Sequence, residues 1–361
     1  MGFDTTELLS ELKAREVIIR DCFNQERYRQ CFRPELLRQA VYSYIERPAK
    51  RLRPGILLFC CGAVGGSEEQ AVLAAASVEI YHTWTLVHDD IIDNDAKRRG
   101  FPTVHEEFRT QGLRLGYSER EAAELGRSIA ILTGDLQQAW SIRLLLDSIE
   151  LGVPAPVICD LAQLITTGVT NRLLEGEALD ILFAREKIGD LSEASILNML
   201  ELKTGVLYEY AAMAGAAIGL KQTLAENPII QSLGRFARLA GLAFQLYDDI
   251  LGITGNEQLL GKPVGSDIRE GKRTTIVLHA YHNAGTCEKQ FLIDNLGSPD
   301  LSERDIAKIR QILIEYNGVE HTQGLAERYI NEALQELTVL PESRYKNLLL
   351  AWARYIVQRE Y

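Results

Sequence analysis

The sequence predicts an all-α protein built as one large helical bundle, and three observations carry that expectation. Apolar residues recur at helical spacing along most of the 361 residues, sustained period-2 alternation is absent, and the loop signals are short and scattered. Leu8-Leu9-Leu12 opens the series near the N-terminus, and Leu136-Ala139-Trp140-Ile142 follows in the middle. Phe236-Leu239-Ala240-Ala243-Phe244 and Ile306-Ile309-Ile312-Leu313 continue it toward the C-terminus. Each set lines one face of a helix. The punctuation between them is Arg47-Pro48, Gly65-Gly66-Ser67, Gly100-Phe101-Pro102, Gly152-Val153-Pro154, Gly255-Asn256, Gly261-Lys262-Pro263 and Gly297-Ser298-Pro299. None has the composition of an interdomain linker, and no repeat of about 20–50 residues is visible. Residues 1–361 are therefore expected to form a single domain, with about ten to thirteen helices of ordinary length.

Composition narrows the function. Hydrophobic residues make up 46% of the chain and charged residues 25%, which suits a globular protein with a sizeable core rather than a disordered one. A formal net charge of −11 argues against a nucleic-acid partner, which needs a clustered excess of Lys and Arg. The six cysteines show neither C-x-x-C nor zinc-ligand spacing, so reduced, mostly buried thiols in a cytoplasmic protein are expected. The N-terminus is acidic and amphipathic, unlike a secretory signal. Glu79, Lys203, Glu209 and Lys221 interrupt the most apolar stretches, well short of the ~20 residues of a membrane span.

The strongest local signal is His88-Asp89-Asp90-Ile91-Ile92-Asp93-Asn94-Asp95. Asp89 and Asp93 stand four apart, so their carboxylates share one helix face. Massed carboxylates repel unless a cation neutralises them, and Mg²⁺ commonly takes one or two carboxylates together with substrate phosphates. The same residues would also suit a solvated acidic helix end. A second acidic pair, Asp248-Asp249, follows another apolar run. Basic sets punctuate the chain at Lys50-Arg51-Leu52-Arg53, Lys97-Arg98-Arg99, Lys203, Lys262 and Lys272-Arg273. Any one could be an ordinary surface salt bridge. Five of them beside two carboxylate clusters fit a bound magnesium diphosphate better, since Arg grips phosphate with a planar fork and Lys adds point charge.

The segments KRLRP, EIYHTWTLVHDDIIDNDAKRRGFPTVH, LTGDLQQAW, LEGEALD, ELKTGVLYE, LAFQLYDDILG and LGKPVGSDIREGKRTTI together resemble the trans-isoprenyl diphosphate synthases of the polyprenyl synthetase family. The likeness is to archaeal and actinobacterial geranylgeranyl diphosphate synthases. It implies the isoprenoid synthase type of bundle around a central active-site cavity. It also implies a prenyltransferase that joins isopentenyl diphosphate to allylic diphosphates, uses more than one Mg²⁺ (Mn²⁺ being a substitute), and works as a homodimer. Carried over by position, Asp89, Asp93 and Asp248 resemble the metal ligands, supported by Asp90 and Asp249. Arg98, Lys203, Lys262 and Lys272 match the grip on the allylic diphosphate. Lys50, Arg53, His82 and Arg99 match the site for isopentenyl diphosphate, and Thr204 and Gln245 the polar groups near the reacting carbons. Asp89, Asp93, Arg98, Lys203 and Asp248 are the implied catalytic set, and the Gly255–Arg273 loop is a lid candidate.

Two departures stand out. The second motif ends Asp248-Asp249-Ile250-Leu251-Gly252, so its last carboxylate is missing and rearranged metal binding is expected. Glu177 stands where many members of the family have Gln. Product length is expected to depend on Tyr81, Trp84 and Thr85, just upstream of the first motif. The residue five before the first Asp, here Trp84, commonly floors the family's tunnel, although helical geometry puts Thr85 and Tyr81 nearer the face of Asp89. Two bulky aromatics should stop elongation early, which predicts a geranylgeranyl (C20) product, with farnesyl (C15) and C25 as alternatives. Three rival functions are weaker. A di-iron oxidase would need a second partner for the E-x-x-H of Glu79 and His82. A terpene cyclase would have no use for Lys50, Arg53 and Arg99. A non-catalytic subunit of a heteromeric prenyltransferase would not need intact Asp89, Asp93, Arg98 and Lys203.

Overall fold

A computed structural model of the chain describes residues 5–225, 227–255, 265–298 and 300–357. The all-α expectation holds. Eighteen α-helices are formed among the described residues, and the only strands there are the two-residue pair Lys97–Arg98 and Phe101–Pro102. The helix count exceeds the sequence expectation for two physical reasons. Glu26–Arg29 and Ser266–Glu270 are single turns too short to show a periodicity. Leu164–Val169 and Glu201–Gly205 are π-helical turns that divide otherwise continuous helical runs.

The residues group into two compact units. One comprises Met1–Leu164, Ala211–Gln231 and Leu340–Ala351; the other comprises Ile165–Tyr210, Ser232–Val339 and Trp352–Tyr361. In the first unit the indole of Trp140 is surrounded by Phe23, Tyr28, Phe32 and Tyr42, with ring centroids 5.1–5.9 Å away. Such tilted and edge-on pairs add about 0.5–1.5 kcal/mol each beyond the area they bury. The Glu119–Asp147 helix that carries Trp140 opens on a Ser118/Glu121 capping box, which satisfies two end groups of the helix. Gln137 of the same helix donates to the Val41 carbonyl at 2.9 Å. In the second unit Trp352 plays the corresponding part, packed on Tyr208 and Phe236 at 5.4 and 6.1 Å. The Ile306-Ile309-Ile312-Leu313 stripe is buried as its spacing predicts.

Three of the six cysteines, Cys22, Cys60 and Cys61, are buried; Cys31, Cys159 and Cys287 are exposed. Half rather than most are therefore inside, because Cys159 and Cys287 lie on outward helix faces and Cys31 in an exposed turn. Burial pushes the Cys22 thiol up to about 11 and Cys61 to about 12, which leaves both poor nucleophiles. No helix of the described residues is long and apolar enough to cross a membrane.

Within the first unit the 211–220 part of the Val206–Leu220 helix meets the Leu52–Ala63 helix at backbone contact. A Cβ on Gly215 would lie 2.0 Å from the Leu57 carbonyl oxygen, and a carbonyl inside a helix cannot step aside cheaply. Gly215→Ala is expected to cost about 2–3 kcal/mol by overpacking, read as a lower urea midpoint. Gly324→Ala, where nothing lies within 4 Å, is the control and should be stabilising by about 0.5–1 kcal/mol. Equal midpoints for the two variants would refute the packing argument.

Candidate active site

In the first unit the Glu68–Ile92 helix carries Asp89 in its last turn and ends on Asp93 as the C-cap. One turn apart, the two carboxylates approach within 4.8 Å of each other. Asp90 is turned into the protein and is 1% exposed. Its Oδ1 accepts from Arg98 Nε at 2.7 Å and lies 2.5 Å from Arg98 Nη2, and its Oδ2 accepts from the Tyr44 hydroxyl. Arg98 Nη2 also reaches Asp89 Oδ2 at 3.3 Å. Burial works against the Arg98 charge, but Asp90 and Asp89 more than offset it, so its pKa is raised. Burial and then the Asp90 charge push the Tyr44 phenol up as well. Asp90 is thus engaged by Arg98 and Tyr44 at both of its oxygens.

Arg98 comes from the short hairpin, whose turn residues Arg99 and Gly100 have φ of +52° and +80°. Positive φ at both central positions is the type I′ geometry that two-residue hairpins favour, and Gly supplies it readily. The turn directs Arg98 inward and leaves Arg99 exposed.

Arg53 Nη1 lies 3.0 Å from His82 Nε2. A guanidinium only donates, so Nε2 is the acceptor and Nδ1 carries the proton. Burial first, then the charges of Arg53, Arg99 and Arg98, hold His82 well below the usual histidine range. His82 is therefore a neutral ring within a group of guanidiniums. Lys50 is exposed, whereas Arg51 adopts a left-handed φ of +45° and turns inside. There it bonds Glu79 Oε1 at 2.7 Å and the Ile45 carbonyl at 2.9 Å. The Glu79/His82 pair of the E-x-x-H reading is accordingly divided between Arg51 and Arg53. Upstream of the motif, buried Tyr81 meets Trp84 edge-on at 4.9 Å. The Thr85 hydroxyl is turned back onto the His82 carbonyl at 2.8 Å.

In the second unit the π turn Glu201–Gly205 carries Lys203 and Thr204. Lys203 Nζ is clamped by Asp180 at 2.7 Å and Glu177 at 2.9 Å. Glu177 thus has a definite cationic partner, which accounts for a carboxylate at that position. The two chain segments approach so closely that a Cβ on Gly176 would lie 2.4 Å from the Lys203 backbone nitrogen. The Thr204 hydroxyl donates to Gln245 Oε1 at 2.9 Å, and Gln245 Nε2 donates to Asp249 Oδ1 at 3.0 Å. These two residues form a relay that supports Asp249. Burial above all, then the charges of Asp267 and Asp248, raise the Asp249 pKa well above the carboxylate range, against the opposing Gln245 bond and Lys272. Lys272 Nζ is 2.7 Å from Glu270 and 3.7 Å from Asp267. Lys262 lies outside the described residues.

Sequence reasoning passed over three participants. Asp180 and Asp267 sit inside recognisable segments, LEGEALD and GSDIREGKR, but Lys203 and Asp249, on which they act, lie in other segments. Tyr44 carries no signal in the sequence at all. The ligand atoms on offer are carboxylate oxygens, the hard donors that suit Mg²⁺. Crowding that drives one carboxyl toward protonation is the condition a divalent cation relieves.

The polyprenyl synthetase family matches residues 34–313. The chain is 35% identical over 329 residues to the geranylgeranyl diphosphate synthase of Methanosarcina mazei, covering 91% of each protein. It is also 35% identical over 331 residues to the geranylfarnesyl diphosphate synthase of Aeropyrum pernix, covering 90% of this chain and 95% of that one. Among solved structures, the geranylgeranyl pyrophosphate synthetase of Pyrococcus horikoshii superposes with a TM-score of 0.82 at 31% identity, over 98% of this chain and 99% of that one. The geranylgeranyl pyrophosphate synthase of Corynebacterium glutamicum, complexed with isoprenyl diphosphate and magnesium, does so with a TM-score of 0.84 at 25% identity over the whole of both chains.

The Asp249 environment predicts a pH dependence. A carboxyl whose native pKa is raised favours the folded state while both states are protonated. That contribution is lost as pH climbs from the unfolded value of about 4 toward the raised native one. In metal-free buffer Asp249→Asn should therefore melt higher than the parent at pH 7, and the two melting curves should converge near pH 4. A lower melting temperature for the variant at pH 7 would refute the assignment.

Proposed function

The chain belongs to the polyprenyl synthetase family, and on that premise we propose that it is a short-chain trans-prenyltransferase making geranylgeranyl diphosphate (C20). It joins isopentenyl diphosphate head-to-tail to allylic diphosphates. The observation that carries this proposal is the arrangement in the first unit. A pair of carboxylates four residues apart stands at the end of a helix whose neutral His82 is ringed by Arg53, Arg98 and Arg99. Carboxylates for a metal beside guanidiniums for phosphate are the two halves of diphosphate recognition.

Asp89 and Asp93 in the first unit, and Asp248 in the second, would hold Mg²⁺. When bound, the metal neutralises charge on the departing pyrophosphate. Arg98, Lys203, Lys262 and Lys272 bind the allylic diphosphate and add to that neutralisation. Asp90 and Asp249 act from behind: the one locked to Arg98 and Tyr44, the other held by the Gln245 relay. Lys50, Arg53 and Arg99 bind the diphosphate of isopentenyl diphosphate, and His82, kept neutral, orients Arg53. The condensation forms a bond between the allylic carbon and the terminal alkene carbon of isopentenyl diphosphate. The proton then lost goes to the released pyrophosphate, so no dedicated protein base is required. Tyr81, Trp84 and Thr85 bound the growing tail. The names of two relatives, geranylgeranyl and geranylfarnesyl diphosphate synthase, favour C20 and make C25 the second reading.

The test incubates purified protein with Mg²⁺, labelled isopentenyl diphosphate and, in turn, dimethylallyl, geranyl and farnesyl diphosphate, then sizes the dephosphorylated alcohols. A C20 alcohol is expected, abolished by a chelator. Asp89→Ala should lower kcat about 10²–10³-fold, as loss of one major electrostatic contact does, and Trp84→Ala should shift product toward longer chains. Absence of condensation with every primer would overturn the proposal and point to a subunit that needs a partner.

A further inference from the structure

Trp84 is tethered, and the tether is built from two residues that none of the roles above uses. Its indole Nε1–H donates to His88 Nδ1 at 3.2 Å, one helical turn on. Because Nδ1 accepts, the proton of the neutral ring sits on Nε2, and Nε2 lies 3.2 Å from the Ile131 carbonyl oxygen of the neighbouring Glu119–Asp147 helix. The imidazole thus receives from one helix and donates to another. It can do so only because position 134 has no side chain. A Cβ on Gly134 would fall 2.0 Å from His88 Nε2 and 2.4 Å from Cδ2, inside the ring's own volume. The Trp84 indole is also met edge-on by Tyr81. The ring is therefore held by two contacts, an aromatic edge and a hydrogen bond anchored on a second helix.

The other two tryptophans sharpen the point. The indole N–H groups of Trp140 and Trp352 are buried with no acceptor among the described residues, so packing alone orients them. Of the three, Trp84 is the one whose N–H is bonded there. A tryptophan that merely filled space would not need a histidine and a glycine on two helices to fix its orientation.

We propose that His88 is a positioning residue and that the His88–Gly134 seat sets product chain length by fixing the Trp84 rotamer. The proposal rests on the reading of this chain as a short-chain prenyltransferase with Trp84 beside the growing tail. With the acceptor gone, the indole samples orientations that no longer cap the tail, and elongation runs on. Loss of one such bond redistributes rotamers by about fivefold.

Two readouts test this on the full chain. In the first, ¹⁵N-tryptophan labelling gives three indole N–H resonances, with that of Trp84 assigned by its loss in Trp84→Phe. Its proton should lie downfield of the other two and move upfield in His88→Phe and Gly134→Ala. In His88→Asn, whose Oδ1 stands where Nδ1 was, it should stay near its original position. In the second readout, the ratio of longer to parent alcohol should rise about fivefold in His88→Phe and Gly134→Ala, with His88→Asn nearer the parent. A Trp84 resonance that ignores all three substitutions overturns the tether. A resonance that moves while the product ratio stays constant overturns its role in chain length. If the parent protein condenses nothing, the functional reading fails and chain-length control falls with it, while the resonances still decide whether the tether exists. Should His88→Phe not fold, Gly134→Ala and His88→Asn carry both comparisons.

Discussion

Everything in the first aspartate motif depends on one buried ion pair, Asp90 with Arg98. Asp90 is almost wholly removed from solvent, so its charge is tolerable only with a guanidinium and the Tyr44 hydroxyl upon it. Removing one partner from such a pair leaves an uncompensated charge at a cost of about 3–5 kcal/mol. Arg98 is presented by the short hairpin, whose two-residue turn has positive φ at both central positions. That turn separates adjacent arginines, sending Arg98 inward to the carboxylates and Arg99 outward.

The same principle organises charge elsewhere: each side chain of the candidate site is held by one that is itself held. Arg53 is placed against His82, and His82 is a good acceptor because burial, and then surrounding positive charge, keep it neutral. In the second unit Lys203 is fixed between Asp180 and Glu177. Asp249 is fixed by Gln245, which is fixed by Thr204. The π turn Glu201–Gly205 matters here, since a regular helix would rotate Lys203 and Thr204 relative to what precedes them by a different angle. Arg51 shows the converse. It sits within the most basic run of the chain yet serves the interior, bonded to Glu79 and a carbonyl.

Much of this was legible in the sequence, and the boundary is physical. Helical class, the buried Ile306-Ile309-Ile312-Leu313 stripe and the paired carboxylates of Asp89 and Asp93 follow from local spacing, which a sequence displays directly. Lys50 and Arg53 could be singled out from Arg51 only through resemblance, because alternation of roles within K-R-L-R depends on a left-handed residue that no local rule predicts. Tyr44, Asp180 and Asp267 were invisible as participants, since each acts on a residue well beyond the next few turns of its own segment: Asp90, Lys203 and Gly252 respectively. The hairpin was missed because two-residue strands are too short to alternate. The π turns were missed because inserting one residue into a helical run leaves its apolar pattern nearly unchanged.

Gly252 shows how a gap in a motif can be a feature of the fold. On the sequence, the second acidic motif lacks its last carboxylate. In the structure, a Cβ at position 252 would lie 2.8 Å from Asp267 Oδ2, so a carboxylate from further along the chain already occupies that space. Adding an acidic side chain there would set it against Asp267, in a neighbourhood where Asp248 and Asp267 already raise the pKa of Asp249. Like charges so close cannot all ionise without a cation. Glycine at this position therefore keeps the local negative charge one unit lower and lets the Asp267 carboxylate approach the helix backbone. The number of carboxylates in the motif and the number in the neighbourhood are different quantities, and it is the second that governs how strongly a divalent cation is drawn.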